Sequence, residues 1–353
     1  MTFCSSPFSR MTVGPDGSYR TCCYHPQVAS GYGNVIDAFY GTEMDRLRER
    51  MLAGDHIKEC EQCYEYDRIG ELSQRAVINA EHPYEGKTEI VGLEMSYGNL
   101  CNMACVTCKP ESSSVWEQRL GPVEKGRINY DGIDWSGLTS LSLTGGEPTI
   151  QKEFSPEFFR MLSETLSTNC FFSMNTNCSK WVHKEWEDFV RRQKRVNIML
   201  SLDGIGEVGE WIRPGMKQDI WEKNALRWKD LLKDNENETY GDLKSGVVCN
   251  FTLTNFSLWN IHETESYLND LGIPIRWTNC NYPEMLSPEY LPDGIKGSIP
   301  DHPFVNKVLP KGVFNRQHCR EFIEYVEYLS KFSEPPNGAK YIYKKLKKMC
   351  YFT

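Results

Sequence analysis

The sequence predicts an α/β fold assembled from parallel βαβ units, and three observations lead there. From residue 89 onward, apolar runs of strand length alternate with helix-length segments. The chain has 353 residues, 40% of them hydrophobic, enough to bury a full core in one large domain or two smaller ones. Charged residues make up 25%, an ordinary share for a folded protein. The expected strands are 90–96, 138–143, 171–174, 196–202, 247–253 and 273–277. Helices are expected at 111–120, 153–166, 181–192, 219–232 and 258–271. Six strands with five or more helices suit a partial barrel or an open doubly wound sheet, and periodicity does not choose between them.

Before residue 85 the pattern differs. Pro15-Asp16-Gly17 marks a turn, and Met44, Leu47, Met51 and Leu52 fall at helical spacing. We expect a small cysteine-rich module over 1–85, the α/β unit over 86–300, and a helical extension over 301–353. In that extension 319–332 reads as a helix. Lys340, Lys344, Lys345, Lys347 and Lys348 read as a solvated helix face. The net charge of −8 gives no general reason to bind nucleic acid. The first residues carry no basic start followed by an apolar run, so no signal peptide is expected. No 18-residue apolar stretch exists, so neither is a membrane span, and a cytoplasmic protein is expected.

Eight of the 14 cysteines lie before residue 109, and in a reducing compartment such clustering points to metal binding or catalysis. Cys170, Cys178, Cys249, Cys280, Cys319 and Cys350 are isolated and read as buried small hydrophobes. Cys101, Cys105 and Cys108 share one eight-residue loop after the first expected strand. Three thiolates suit zinc or an iron–sulfur cluster. Structural zinc takes four protein ligands, and no histidine is near. Three ligands on a four-iron cluster leave one iron open, as a catalytic cluster requires.

The Cys-x3-Cys-x2-Cys loop resembles that of the radical S-adenosylmethionine (SAM) superfamily. The resemblance spans about residues 89–280 and implies a partial (β/α)6 TIM-like barrel. It implies a [4Fe-4S] cluster on Cys101, Cys105 and Cys108 whose open iron chelates SAM. Reductive cleavage of SAM then gives a 5′-deoxyadenosyl radical that takes hydrogen from a substrate. Gly145-Gly146-Glu147, ending the second strand, resembles the family's motif for the SAM amino group. Two glycines allow close backbone approach, and Glu147 is suited to an ammonium. Asn177, Ser201 and Asp203 end the next strands and Arg213 follows; they resemble the segments that line the SAM pocket. Asn250, Thr252 and Thr254 are secondary candidates. The position before the third cysteine, usually a large apolar residue near the adenine, is Thr107 here, which shifts the expected adenine contact to Met103 or Val106.

Cys4, a Gly17-x4-Cys22 turn and Cys60-x2-Cys63 resemble the twitch form of the SPASM auxiliary-cluster module, here placed before the barrel. The resemblance implies a second [4Fe-4S] cluster on Cys4, Cys22, Cys60 and Cys63, with Cys23 an alternative to Cys22; ligand type and count suit a four-cysteine zinc site equally. His25 and His56 lie near but lack the spacing of ligands. The function implied is radical modification of a peptide or protein, with the auxiliary cluster accepting an electron and a reductant such as flavodoxin or ferredoxin supplying one. Dehydrogenation of a small-molecule alcohol is the alternative substrate class. An iron–sulfur or zinc-stabilised electron-transfer or binding protein is the non-enzyme alternative. The catalytic acid or base is not identified; Asp203, Cys249, Cys280 and Tyr282 are the residues weighed for it.

Overall fold

Eight strands form one sheet: β1 (Arg10–Val13), β2 (Tyr19–Arg20), β3 (Gly92–Met95), β4 (Ser140–Leu143), β5 (Phe171–Thr176), β6 (Val196–Ser201), β7 (Gly246–Leu253) and β8 (Ile275–Asn279). Their order across the sheet is β8-β7-β6-β5-β4-β3-β1-β2. The computed structural model describes every residue except 1, 29–30, 69, 71, 127, 236–238, 241–242 and 352–353. From β3 to β8 all neighbours are parallel, with helices between them. This is the topology of a partial TIM barrel, and it selects the barrel from the two arrangements that periodicity left open.

The six expected strands are all present, within two residues of their expected ends. Two further strands come from the N-terminal region. β1 runs parallel to β3, pairing Arg10 with Gly92 and Thr12 with Glu94, and β2 closes that edge antiparallel. The N-terminal region therefore extends the barrel sheet and shares its core, where Met11 and Val13 pack in one cluster with Leu93 and Leu141.

The helices form for local reasons. Ser155 accepts from the Phe158 amide and caps Pro156–Thr165, which has proline at its first position. His183 caps Lys184–Arg192, whose first turn carries Glu185 and Glu187 and whose last carries Arg191 and Arg192, the charge order the helix dipole favours. These two helices pack through Phe159 and Trp186, stacked at 4.2 Å between ring centroids. In the N-terminal region Thr42–Ala53 buries Met44, Leu47 and Met51 and ends on Gly54 in the left-handed conformation. The C-terminal helices Arg316–Leu329 and Asn337–Tyr351 pair and build a second core with Phe251, Leu253 and Trp211. No helix among the described residues is long and apolar enough to cross a membrane.

The sheet's two faces differ chemically. Leu93, Leu141, Phe172 and Ile198 are buried in the core. In register between them, Thr12, Glu94, Ser142, Ser173 and Asn197 form a polar row across five strands. Four of these, Glu94 to Asn197, line a cavity of about 840 Å³ that also meets Arg10, Tyr24, Tyr66 and Arg276.

Candidate active site

The strand ends of a parallel barrel leave backbone groups free to bind a ligand. At the C-terminal ends of β4, β5 and β6 a cavity of about 190 Å³ is lined by Cys101, Cys105, Cys108, Gly145, Gly146, Glu147, Asn177, Ser201 and Arg213, among others. Ten site residues were expected around SAM and its cluster, and nine line this cavity; Asp203 does not.

The loop is pinned on three sides. Ala104 and Val106 amides donate to the Pro214 and Ile212 carbonyls, at 3.0 and 2.9 Å. Trp116 Nε1 donates to the Cys105 carbonyl and the Tyr325 hydroxyl to the Val106 carbonyl, both at 2.8 Å. Tyr325 belongs to the C-terminal helix Arg316–Leu329, so the extension holds the cluster loop in place.

The double glycine serves this loop first. Gly146 and Glu147 amides donate to the Gly98 and Leu100 carbonyls, at 3.0 and 2.8 Å. A Cβ on Gly146 would fall on the Leu100 carbonyl, and Gly145 has φ +113°. The glycines thus allow two backbone segments to touch.

Two of the expected residues already have partners within the fold. Glu147 was expected to meet a ligand ammonium. It is 1% exposed and its oxygens accept from Thr149 N and Oγ1, Thr176 Oγ1 and Asn177 N, at 2.6–3.2 Å. Its carboxylate ties the end of β4 to the end of β5. Burial nonetheless holds its carboxyl above the ordinary value, opposed by those donors. Asp203 was expected at a ribose. It is fully buried, accepts from the Thr252 amide at 2.9 Å, and pairs with Arg213 at 2.7 Å. Arg213 in turn donates to Cys105 Sγ at 3.5 Å. Asn177 Nδ2 lies 3.9 Å from Cys101 Sγ and 3.0 Å from Asn102 Oδ1.

These donors fit a thiolate-ligated cluster, whose sulfurs accept hydrogen bonds. The Cys108 thiol donating to Cys105, followed by the Arg213 guanidinium, holds Cys105 below the usual thiol value, while the same bond pushes Cys108 up. Burial pushes Cys101 up to about 11. Thr107 is on the cavity wall, whereas Met103 and Val106, the expected adenine contacts, are buried in the two cores and off it. Cys249 and Cys280 are buried with their thiols on backbone carbonyls, and Tyr282 is exposed.

A second cavity is lined by Cys4, Cys22, Cys60 and Cys63, together with His25 and Tyr24. Cys23, the alternative to Cys22, is not on that wall; desolvation, then Glu94 and Cys22, push its thiol up, opposed by Arg10. Burial pushes Cys4 and Cys60 up to about 12, so metal binding there releases their protons. Among the described residues no three histidine, cysteine or acidic side chains converge on a point suited to one metal ion. A cluster asks less, one donor for each iron. Tyr24 and Gln74 line both this cavity and the barrel lumen, so the N-terminal position of the module does not separate it from the barrel. The polar row in the lumen was not read from the sequence; its signal was a lone serine between leucines, as at Ser142.

No family model matches the chain. GTP 3′,8-cyclase of Mycobacterium ulcerans, a radical SAM enzyme, is 36% identical over 63 residues, 17% of this chain and 18% of that protein. GTP 3′,8-cyclase 2 of Mycobacterium tuberculosis is 38% identical over 61 residues, 16% and 17% of the two chains. The match thus spans less than a fifth of these relatives' length. Two solved structures are similar. AnSMEcpe with bound AdoMet and Kp18Cys peptide is 18% identical, with 68% of this chain and 59% of that chain covered and a TM-score of 0.38. SuiB of Streptococcus suis bound to precursor peptide SuiA is 14% identical, with 88% and 68% covered and a TM-score of 0.39. The cysteine loop and the glycine turn set against it line one cavity, and the chain shares local identity with GTP 3′,8-cyclases over 61 to 63 residues in the two matches.

Proposed function

We propose that the chain is a radical SAM enzyme that modifies a peptide or protein, with the cavity of Cys4, Cys22, Cys60 and Cys63 holding an auxiliary [4Fe-4S] cluster. One observation carries the reading: three thiols from one loop and the double-glycine turn line the same cavity at the strand ends. Cys101, Cys105 and Cys108 would hold the first cluster. A [4Fe-4S] cluster on those thiols would supply the electron for reductive cleavage of SAM, and the resulting 5′-deoxyadenosyl radical would abstract hydrogen from the substrate. The chain's own residues prepare that chemistry. Arg213, held by Asp203, balances thiolate charge at Cys105. Asn177 and Ser201 offer polar groups to the adenosyl portion on the same wall. The lumen below it, bounded by Arg10, Glu94, Tyr24 and Arg276, receives the substrate.

The peptide reading rests on the pairing of a twitch-like module with the barrel. The shared wall at Tyr24 and Gln74 supports the auxiliary site as an electron acceptor for a radical formed in the lumen. A reductant such as flavodoxin or ferredoxin supplies the first electron. A second reading, dehydrogenation of a small-molecule alcohol, is favoured by the lumen's size, about 840 Å³, within the range of small-ligand sites.

The test is anaerobic reconstitution with SAM and dithionite. About eight irons per chain are expected for two four-iron clusters, with 5′-deoxyadenosine formed over time. A reconstituted protein that binds SAM and never cleaves it removes the enzyme reading. Deuterium transfer into 5′-deoxyadenosine from labelled peptides or from labelled cyclitols and sugars then separates the two substrate classes.

A further inference from the structure

The four-thiol cavity has a fifth donor on its wall. His25 is 8% exposed and lines the cavity with Cys4, Cys22, Cys60 and Cys63. Its Nδ1 lies 2.9 Å from the Pro26 carbonyl oxygen. A carbonyl oxygen only accepts, so Nδ1 carries the proton, and in the neutral ring the lone pair is on Nε2. Nε2 is buried and has no hydrogen-bond partner. A buried polar atom left without a partner is costly, and folded proteins rarely keep one without a reason. An imidazole that donates one N–H to a backbone carbonyl and keeps the other nitrogen buried without a partner, on the wall of a four-thiol cavity, has the outer-shell arrangement of a metal-bound histidine. The spacing that set His25 aside in the sequence gains meaning only beside this wall, where Cys22-x2-His25 matches Cys60-x2-Cys63.

We infer that His25 Nε2 is an iron ligand of the N-terminal cluster, which is therefore held by three cysteines and one histidine. The inference rests on the auxiliary-cluster reading above. Five donors then face four iron corners, so one of the four thiols is dispensable. A neutral nitrogen replacing a thiolate leaves the cluster less negative and easier to reduce. That direction suits a site that accepts an electron from a substrate radical.

The test removes the first cluster with a Cys101→Ala/Cys105→Ala/Cys108→Ala variant, so that only the N-terminal signal remains. The protein is reconstituted with iron and sulfide, reduced, and studied by pulsed electron paramagnetic resonance with ¹⁴N- and ¹⁵N-histidine. About four irons and a strong histidine nitrogen coupling are expected, the coupling vanishing in His25→Asn. About four irons with no such coupling overturns the inference and leaves the cluster reading standing. No iron in the variant, while the unmutated protein holds about four, overturns the cluster reading and the inference together. Should the triple variant not fold, the isotope difference in the unmutated holoprotein gives the same answer. Single Cys→Ser variants at 4, 22, 60 and 63 provide an independent measurement. One of them retains the N-terminal cluster if His25 is a ligand, and loss of that cluster in all four overturns it.

Discussion

Asp203 holds Arg213 in a buried ion pair, Oδ2 to Nη2 at 2.7 Å, directly behind the cysteine loop. The guanidinium's other terminal nitrogen reaches Cys105 Sγ at 3.5 Å. The Asp203 carboxylate thus anchors a guanidinium against the Cys105 sulfur. Breaking a buried pair from one side leaves the other charge uncompensated, which costs about 3–5 kcal/mol. Asp203→Asn is therefore expected to lower the unfolding free energy of the metal-free protein by that amount in urea titrations. A loss below ~1 kcal/mol, the range of exposed pairs, removes the pair from any structural role.

Glu147 gives the fold a pH dependence of known sign. Burial raises its carboxyl above the ordinary 4.5, so the folded state binds this proton more tightly than the unfolded chain. Its contribution to stability is full below the unfolded value and is lost as pH rises through the folded one. Glu147→Gln cannot titrate. The stability of the original protein relative to Glu147→Gln should thus be largest below pH 4.5 and shrink toward neutrality, in urea unfolding of the metal-free protein. A difference that stays flat, or grows, on going to neutral pH contradicts the assignment.

Glu147 and Asp203 also show where sequence reading stops. Residue type and position at a strand end were legible, because strand and helix periods place them. Their partners were not. Thr176 and Asn177 come from the next strand end, and Thr252 is 49 residues beyond Asp203. The same limit hid β1. Four residues following Ser-Pro-Phe-Ser carry no readable period, and its partner Gly92 is 82 positions from Arg10. The six barrel strands were legible because each is an apolar run closed by turn residues. His25 was set aside on spacing to its neighbours, and only the packing of 4, 22, 60 and 63 around one cavity brings it into view.

Gly146→Ala tests the contact between the glycine turn and the cluster loop. The new Cβ lands on the Leu100 carbonyl, one residue before Cys101, so backbone has to move. The expected result is loss of the first cluster alone, from about eight irons to about four. Gly294→Ala is the control, since a Cβ there meets nothing within 4 Å. Full iron in Gly146→Ala shows that the loop tolerates displacement and that the close approach is not required for ligation.

Cys23 separates geometry from sequence adjacency in the N-terminal module. Cys22 and Cys23 are neighbours in the chain, yet only Cys22 lines the cavity with Cys4, Cys60 and Cys63. A thiol off that wall contributes nothing to ligation, so Cys23→Ser is expected to keep about eight irons per chain and an unchanged N-terminal resonance signal. The substitution exchanges sulfur for oxygen at an exposed residue and leaves the backbone free to keep its course, so misfolding does not obscure the count. Loss of about four irons in Cys23→Ser would mean that the turn presents the other thiol in the holoprotein, and the donor set would have to be redrawn around it.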